Sequence, residues 1–252
     1  QNVSAEKKQA VIEKCLAHDV HIMNVPPVTS WINGELSFKQ IKKIKIEDLL
    51  EREPIQLDLD IIRNQLTDKT ILITGGAGSI GSEIARQIIP FKPKKLIILD
   101  QAESPLYDLE LELNENYRWK NFETVIADIR QYDRMERVFN FFRPDVVFHA
   151  AAYKHVPVME SNPSEAILTN VQGTKILADL SGKYKVEKFV MVSTDKAVNP
   201  TSIMGATKRI AEIYCQSLNK VGQTKFITTR FGNVLDSSGS VIPRFKRQVD
   251  EG

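Results

Sequence analysis

TILITGGAGSIGSE (residues 70–83) runs from a short apolar stretch through a glycine-rich turn into a polar start for a helix. The glycines Gly75, Gly78 and Gly81 stand in a G-x-x-G-x-x-G spacing, with Ser79 and Ile80 between the last two. In a strand–turn–helix unit, one glycine permits a tight turn, one lets the backbone approach a pyrophosphate, and one lets the helix pack close to its strand. The helix N-terminus adds unpaired N–H groups and a partial positive charge suited to phosphates. Asp100 closes the next apolar run, 19 residues after Gly81. A carboxylate there accepts hydrogen bonds from adenosine ribose hydroxyls and repels a 2′-phosphate, which favours NAD over NADP. The competing reading is a glycine turn in a fold without its cofactor, with Asp100 capping a strand.

Outward from this unit, apolar runs alternate with amphipathic ones. TILIT (70–74), KKLIILD (94–100), ETVIAD (123–128), DVVFHAA (145–151), KFVMVST (188–194) and KFITTRF (225–231) read as buried parallel strands. The segments between them space apolar residues three or four apart, as helices do. This alternation predicts an α/β fold, a Rossmann-like doubly wound parallel sheet whose ligands bind beyond the strands' carboxyl ends. Asp128 and Ile129 then fall near the adenine. Ala150, Ala151 and Ala152 fall on the pyrophosphate and nicotinamide side, unless their small size serves packing.

The chain has 252 residues, 34 basic and 32 acidic, so its net charge of +2 offers no strong field for nucleic acid or a membrane surface. Cys15 and Cys215 are far apart and belong to no metal-ligand pattern, which argues for a reducing compartment and no metal site. No apolar run approaches the roughly 20 residues of a transmembrane helix. Residues 1–66 read as the tail of a preceding domain plus a linker, and 67–252 as the NAD-binding catalytic domain. KQIKKIKIED (39–48) reads as a solvated edge, since no aromatic residues interleave its charges. The start at QNVSAEKK and the end at VDEG suggest an excised fragment, truncated in its substrate region.

Near the fifth strand, VSTDKAVNPTSIMGATKR (192–209) brings Thr194, Asp195 and Lys196 to a strand end and sets Met204 four residues before Lys208 on one helix face. Together with TGGAGSIG, HAAAYKHVPVMESNP, TNVQGT and RFGNVLDSSGSVIPRF, it resembles the UDP-N-acetylglucosamine 4,6-dehydratases of bacterial polysaccharide biosynthesis. These are extended short-chain dehydrogenase/reductases, and the similarity runs from about Asp68 onward.

The resemblance implies a reaction in which hydride leaves C4 of a UDP-sugar, water is lost across C5 and C6, and the hydride returns to C6, so NAD is recycled. Two bases and an acid are required. By position Asp195 resembles the acid at the C6 oxygen and Lys196 the base at C5, a role that needs a lowered lysine pKa. Lys208 corresponds to the lysine that holds the nicotinamide ribose. Met204 occupies the place of the usual tyrosine base, as it does in several family members, and a thioether cannot take the C4 proton. Thr194 is then expected to pass that proton to Asp195, Lys196 or water.

For substrate the resemblance implies contacts from Lys154 and His155. Asn170, grouped with the substrate side, resembles an asparagine that supports the active-site backbone. Asn233, Ser238, Gly239, Ser240 and Val241 resemble the segment receiving the UDP portion. Arg230 and Arg244 are candidate pyrophosphate donors, and His149, ending an apolar strand, reads as a satisfied core residue. The long N-terminal region resembles the membrane-anchored, C5-retaining type, which places the whole protein in the cytoplasm at the inner membrane face and its anchor outside this chain. Pairing through the helices after Ser164 and Ser202 would make a homo-oligomer. Two other readings stay open: a UDP-sugar 4-epimerase, which would prefer tyrosine at position 204, and a non-catalytic NAD-binding module.

Overall fold

The computed structural model describes residues 57–220, 222–232 and 234, together with a short antiparallel pairing of Met23–Asn24 with Lys42–Lys43. The chain divides into two compact units, Gln1–Leu57 and Asp58–Gly252. The rest of residues 1–56 lies outside the described residues.

The second unit is built on six parallel strands: β1 (Thr70–Thr74), β2 (Lys95–Asp100), β3 (Phe122–Ile126), β4 (Val146–His149), β5 (Lys188–Thr194) and β6 (Lys225–Phe231). Their order is β3-β2-β1-β4-β5-β6. The order reverses between β1 and β4, which is where an open α/β sheet forms its ligand crevice. The helices are α1 (Leu59–Leu66), α2 (Ser79–Ile88), α3 (Glu103–Asn116), α4 (Tyr132–Phe142), α5 (Val156–Ser161), α6 and α7 (Ile203–Leu218). Helix α6 starts at Pro163–Ala166, widens into a π-helical stretch at Ile167–Gly173 and continues as Thr174–Lys183.

The apolar runs of the central strands are continuous because both sheet faces are covered. Ile71, Ile73, Leu96 and Ile98 point into one core with Leu66 of α1, Ala85 and Ile88 of α2, and Leu106, Leu109 and Leu113 of α3. Leu72, Ile97, Leu99 and Val147 point into the other, against Phe139 of α4, Leu177 and Leu180 of α6, and Ala211 and Cys215 of α7. A fully buried Leu or Ile contributes about 1.5–3 kcal/mol relative to an exposed one, so these two layers hold the sheet between its helices. The outer strands depart from the all-buried expectation. Ile126 on β3 and Ile227 on β6 are exposed, since each strand has a neighbour on one side only among the described residues.

Local signals set the helix starts. Asp58 accepts from the Asp60 and Ile61 amides at 3.1 and 3.0 Å, and Ser202 accepts from the Gly205 amide at 3.1 Å. The α1 cap belongs to the second unit, and Leu66 carries that helix into the core. Among the described residues no helix is long and apolar enough to cross a membrane, and no group of three or more His, Cys, Asp or Glu could hold a metal ion.

Candidate active site

The turn after β1 is shaped by contacts that exclude side chains. Gly75 has φ +70°, and a Cβ there would lie 2.4 Å from the Ala151 amide nitrogen. A Cβ at Gly81 would lie 2.1 Å from the Gly75 carbonyl oxygen, so α2 can approach the turn only with glycine at that place. Gly78 differs: its Cβ would meet nothing nearer than Gly75 O at 3.4 Å. Its bareness serves no internal packing and leaves open space above the N-terminus of α2, where no side chain caps the helix.

That space is a cleft with two hollows. One, of about 510 Å³, is lined by the glycine turn, Ser79, Ile80, Ala150 and Ala152, then Tyr153, Lys154 and His155, with Val158 and Met159 from α5. The other, of about 140 Å³, lies toward β2 and β3 and is lined by Asp100, Ala127, Asp128, Ile129, Ala151 and Thr169. Gly75, Gly78, Ala150, Ala152 and Tyr153 border both. The alanines thus serve cleft and packing together.

The residues present fit a dinucleotide. Asp100 accepts from the Ala77 and Ala102 amides, each at 3.0 Å. A carboxylate has about four lone-pair sites, which leaves capacity for ribose hydroxyls. The Thr169 hydroxyl is buried in the wall of the smaller hollow with no hydrogen-bond partner among the described residues, a polar atom suited to a ligand. Burial works to raise the Asp128 pKa, but the Arg130 guanidinium, 2.7 Å away, outweighs it and holds the carboxyl below its usual range. Ile129 fills the notch at Gly173, where a Cβ would come within 2.6 Å of its side chain. A Gly78→Ala variant should keep the melting temperature and lose about tenfold or more in NAD affinity; calorimetric titration checks this, and unchanged affinity would show that the cofactor does not approach Gly78.

The residues expected to react gather where β5 ends. The Thr194 hydroxyl donates to Asp195 Oδ1 at 2.9 Å, and Lys196 Nζ donates to the same oxygen at 3.1 Å. Both bonds lower the Asp195 pKa. A one-turn 3₁₀ helix, Asp195–Ala197, carries the pair, and α7 starts tightly against it: a Cβ at Gly205 would lie 2.3 Å from the Lys196 carbonyl oxygen. Lys208 is buried on α7, its Nζ donating to the Val192 carbonyl at 2.7 Å. Burial lowers its pKa to about 8, although Cys215 and Glu212 pull the other way.

Met204 packs in a small apolar cluster with Met159 and Ala166, beside Tyr153, Val156 and Ile203. Asn170 is fully buried, so it does not face the cleft as a substrate-binding residue would. It holds the Tyr153 backbone from both sides, accepting from its N–H at 2.8 Å and donating to its carbonyl at 3.0 Å. His149 is a satisfied core residue: it is fully buried, within 2.8 Å of the Thr74 hydroxyl and 2.9 Å of the Thr174 hydroxyl, and burial drives its pKa to about 3. Arg230 is not a pyrophosphate donor here. Both arms of its guanidinium bind the buried Glu212 carboxylate, at 2.8 and 2.5 Å. Asn233, Ser238, Gly239, Ser240, Val241 and Arg244 lie outside the described residues.

Three contributors escape a reading by periodicity. Thr169 sits in the π-helical stretch, where the extra residue per turn breaks the helical phase. Tyr153 looks like one more loop residue after the alanines, yet it borders both hollows. Glu212 looks like a solvated helix charge, and it is wholly buried.

Known proteins of similar sequence and fold point to one family. The family model described as polysaccharide biosynthesis protein matches residues 71–252. The capsular polysaccharide biosynthesis protein CapD of Staphylococcus aureus is 48% identical over 99% of this chain and 42% of that protein. An inverting UDP-N-acetylglucosamine 4,6-dehydratase of Campylobacter jejuni is 38% identical over 73% of this chain and 54% of its own length, and a UDP-glucose 4-epimerase of Rickettsia canadensis gives the same figures. The chain therefore spans about half the length of the curated relatives it matches. Among solved structures, Pen from Bacillus thuringiensis has a TM-score of 0.69 and 40% identity, covering 74% of this chain and 57% of that one. DesIV from Streptomyces venezuelae, a dTDP-glucose 4,6-dehydratase solved with NAD and TYD bound, has a TM-score of 0.62 and 25% identity over 73% and 63%. This chain, with its Rossmann-like sheet and NAD-type glycine turn, belongs to the polysaccharide biosynthesis protein family within the extended short-chain dehydrogenase/reductases.

Proposed function

We propose that the protein is an NAD-dependent 4,6-dehydratase of UDP-N-acetylglucosamine, making a UDP-4-keto-6-deoxy sugar with C5 configuration retained. The observation that carries this reading is the Thr194–Asp195–Lys196 group at the end of β5, with Met204 packed away in an apolar cluster. An epimerase needs proton exchange at the C4 oxygen alone, for which a tyrosine at position 204 would serve. Dehydration needs an acid and a base farther along the sugar, and Asp195 and Lys196 supply one of each.

Bound NAD would supply hydride acceptance at C4 and hydride return at C6. The chain's own groups handle the protons. Thr194 touches the Asp195 carboxylate, which gives the C4 hydroxyl proton a path of one relay. Asp195 is the acid for the C6 oxygen and Lys196 the base for C5. At rest these two satisfy each other, and the lowered pKa of Asp195 is the wrong state for an acid. A sugar placed between them parts the ion pair and so frees Asp195 from the lysine contact that helps hold its pKa down. Lys208 lies below, on the strand side, as the anchor for the nicotinamide ribose.

Lys154 and His155 line the larger hollow and face the substrate in this reading, and Asn233 with Ser238, Gly239, Ser240 and Val241 would receive the UDP portion. In this reading the 1–66 region links the catalytic domain to the rest of a cytoplasmic-face membrane protein. One relative, from Methanocaldococcus jannaschii, bears the name of a membrane protein. The exposed Ile167, Leu168, Ile210 and Ile213 on α6 and α7 suit self-pairing.

Mass spectrometry of UDP-N-acetylglucosamine incubated with the protein and NAD tests the reaction class. Loss of one water from the nucleotide sugar is expected. An unchanged mass with a new C4 epimer would replace this reading with an epimerase, and an unchanged sugar beside bound NAD would replace it with a binding module.

A further inference from the structure

The charge of the second unit is sorted by pole. All six strands are parallel, so they start at one end of the sheet, and the helices that precede them finish there. The six connections from a helix into a strand, taken through the first strand residue (67–70, 89–95, 117–122, 143–146, 184–188 and 219–225), hold eleven Lys or Arg and three Asp or Glu. The five connections from a strand into a helix at the cleft pole (75–78, 101–102, 127–131, 150–155 and 195–202) hold three and two. The whole chain carries 34 and 32, so the excess at the strand starts is set against a net acidic remainder.

Helix macrodipoles account for part of this. A cation just after a helix offsets its negative end within the last turn, which covers Lys92, Arg118, Arg143 and Lys220. It does not cover Lys94, Lys95, Lys188 and Lys225, which lie at the strand starts. Ion pairing quenches little of the excess among the described residues: Lys69 pairs with Glu187 at 2.5 Å and Lys95 pairs with Glu123. Lys92, Lys94, Arg118 and Lys120 are all exposed around the starts of β2 and β3.

We infer that this pole docks on an anionic bilayer surface. Six strands 4.8 Å apart make a face roughly 25 Å across, formed of short turns. Its aromatic residues Phe91, Tyr117, Trp119, Phe122 and Tyr184 are half-buried against the cores, and Phe141, exposed at the end of α4, is a single ring rather than a row of platforms for successive bases. A broad, basic face without such a platform suits a plane of anionic headgroups better than a nucleic-acid strand. Docking by the strand starts points the cleft at the opposite pole into water, where a soluble nucleotide sugar arrives. The inference stands on charge placement alone and does not depend on which reaction the cleft performs.

Co-sedimentation of the 252-residue chain with vesicles tests it. Binding is expected to phosphatidylcholine vesicles containing about 30% phosphatidylglycerol and not to phosphatidylcholine alone, with release as salt rises from about 0.05 to 0.5 M. The Lys92→Glu, Lys94→Glu, Arg118→Glu, Lys120→Glu variant should bind at least about thirtyfold more weakly, with melting temperature and NAD binding retained. Arg137→Glu with Lys175→Glu, away from these turns, should bind like the parent. Parental binding by the fourfold variant would overturn the inference by moving the contact elsewhere, and so would capture of a single-stranded RNA with no binding to the vesicles.

Discussion

Replacing Lys196 with alanine is expected to slow dehydration by about 10²–10⁴-fold, while bound NAD and melting temperature stay at the parental level. The side chain is part-exposed and, in the described structure, donates to Asp195 Oδ1, so its removal opens no core. Steady-state turnover of UDP-N-acetylglucosamine, read beside the NAD content of the same sample, separates chemistry from binding. If Lys196→Ala retains full turnover, the C5 base is another group. If NAD is lost with turnover, the residue acts on the cofactor and its assignment as a base fails.

The second large effect concerns stability. Glu212 is fully buried and accepts from Ser193 at 2.6 Å, from Arg209 at 3.1 Å and from both arms of Arg230. Ser193 and Arg230 face each other in the β5–β6 register, so the carboxylate ties α7 to the ends of both strands next to Thr194. Breaking a buried pair costs about 3–5 kcal/mol; here the arginines retain access to water, and Glu212→Ala should cost about 2–4 kcal/mol. Burial opposes ionisation, but Arg230, Ser193 and Arg209 prevail and bring the Glu212 pKa to about 2. A folded-state pKa below the unfolded value gives stability that is present above the ordinary glutamate range and lost as pH falls toward 2. Urea denaturation at pH 7 and at pH 3 should therefore show the Ala penalty shrinking in acid. An equal penalty at both pH values would mean that the side chain's volume, not its charge, is what matters.

Much of the fold was legible because its signals are local and repeated. TILIT, KFVMVST and KFITTRF have the bounds of β1, β5 and β6, and the parallel α/β sheet follows from strands alternating with helices, whereas the place of the order reversal is set by strand pairing. The cleft end was legible for the same reason: glycines at 75, 78 and 81 can be read as steric requirements before any contact is seen. What escaped is what depends on tertiary partners. The exposure of Ile126 follows from β3 being at an edge, which no single strand announces. The π-helical stretch that aims Thr169 into the smaller hollow shifts phase without changing composition. Arg230 looked like a phosphate ligand because its partner, Glu212, lies 18 residues away on α7. Asn170 was legible as a backbone support, and the paired bonds to Tyr153 fit that part of the reading; its grouping with substrate does not survive its burial.

The central claim is that Asp195 and Lys196 perform acid–base chemistry beyond C4 of a UDP-sugar. Proton NMR of UDP-N-acetylglucosamine incubated with the protein and NAD in D₂O tests it most directly. The account predicts a new C6 methyl signal beside a C4 ketone or its hydrate, with deuterium taken up at C5, and no such signal from Lys196→Ala. A sugar that keeps its C6 hydroxymethyl group and its C5 proton while NAD is bound would contradict it.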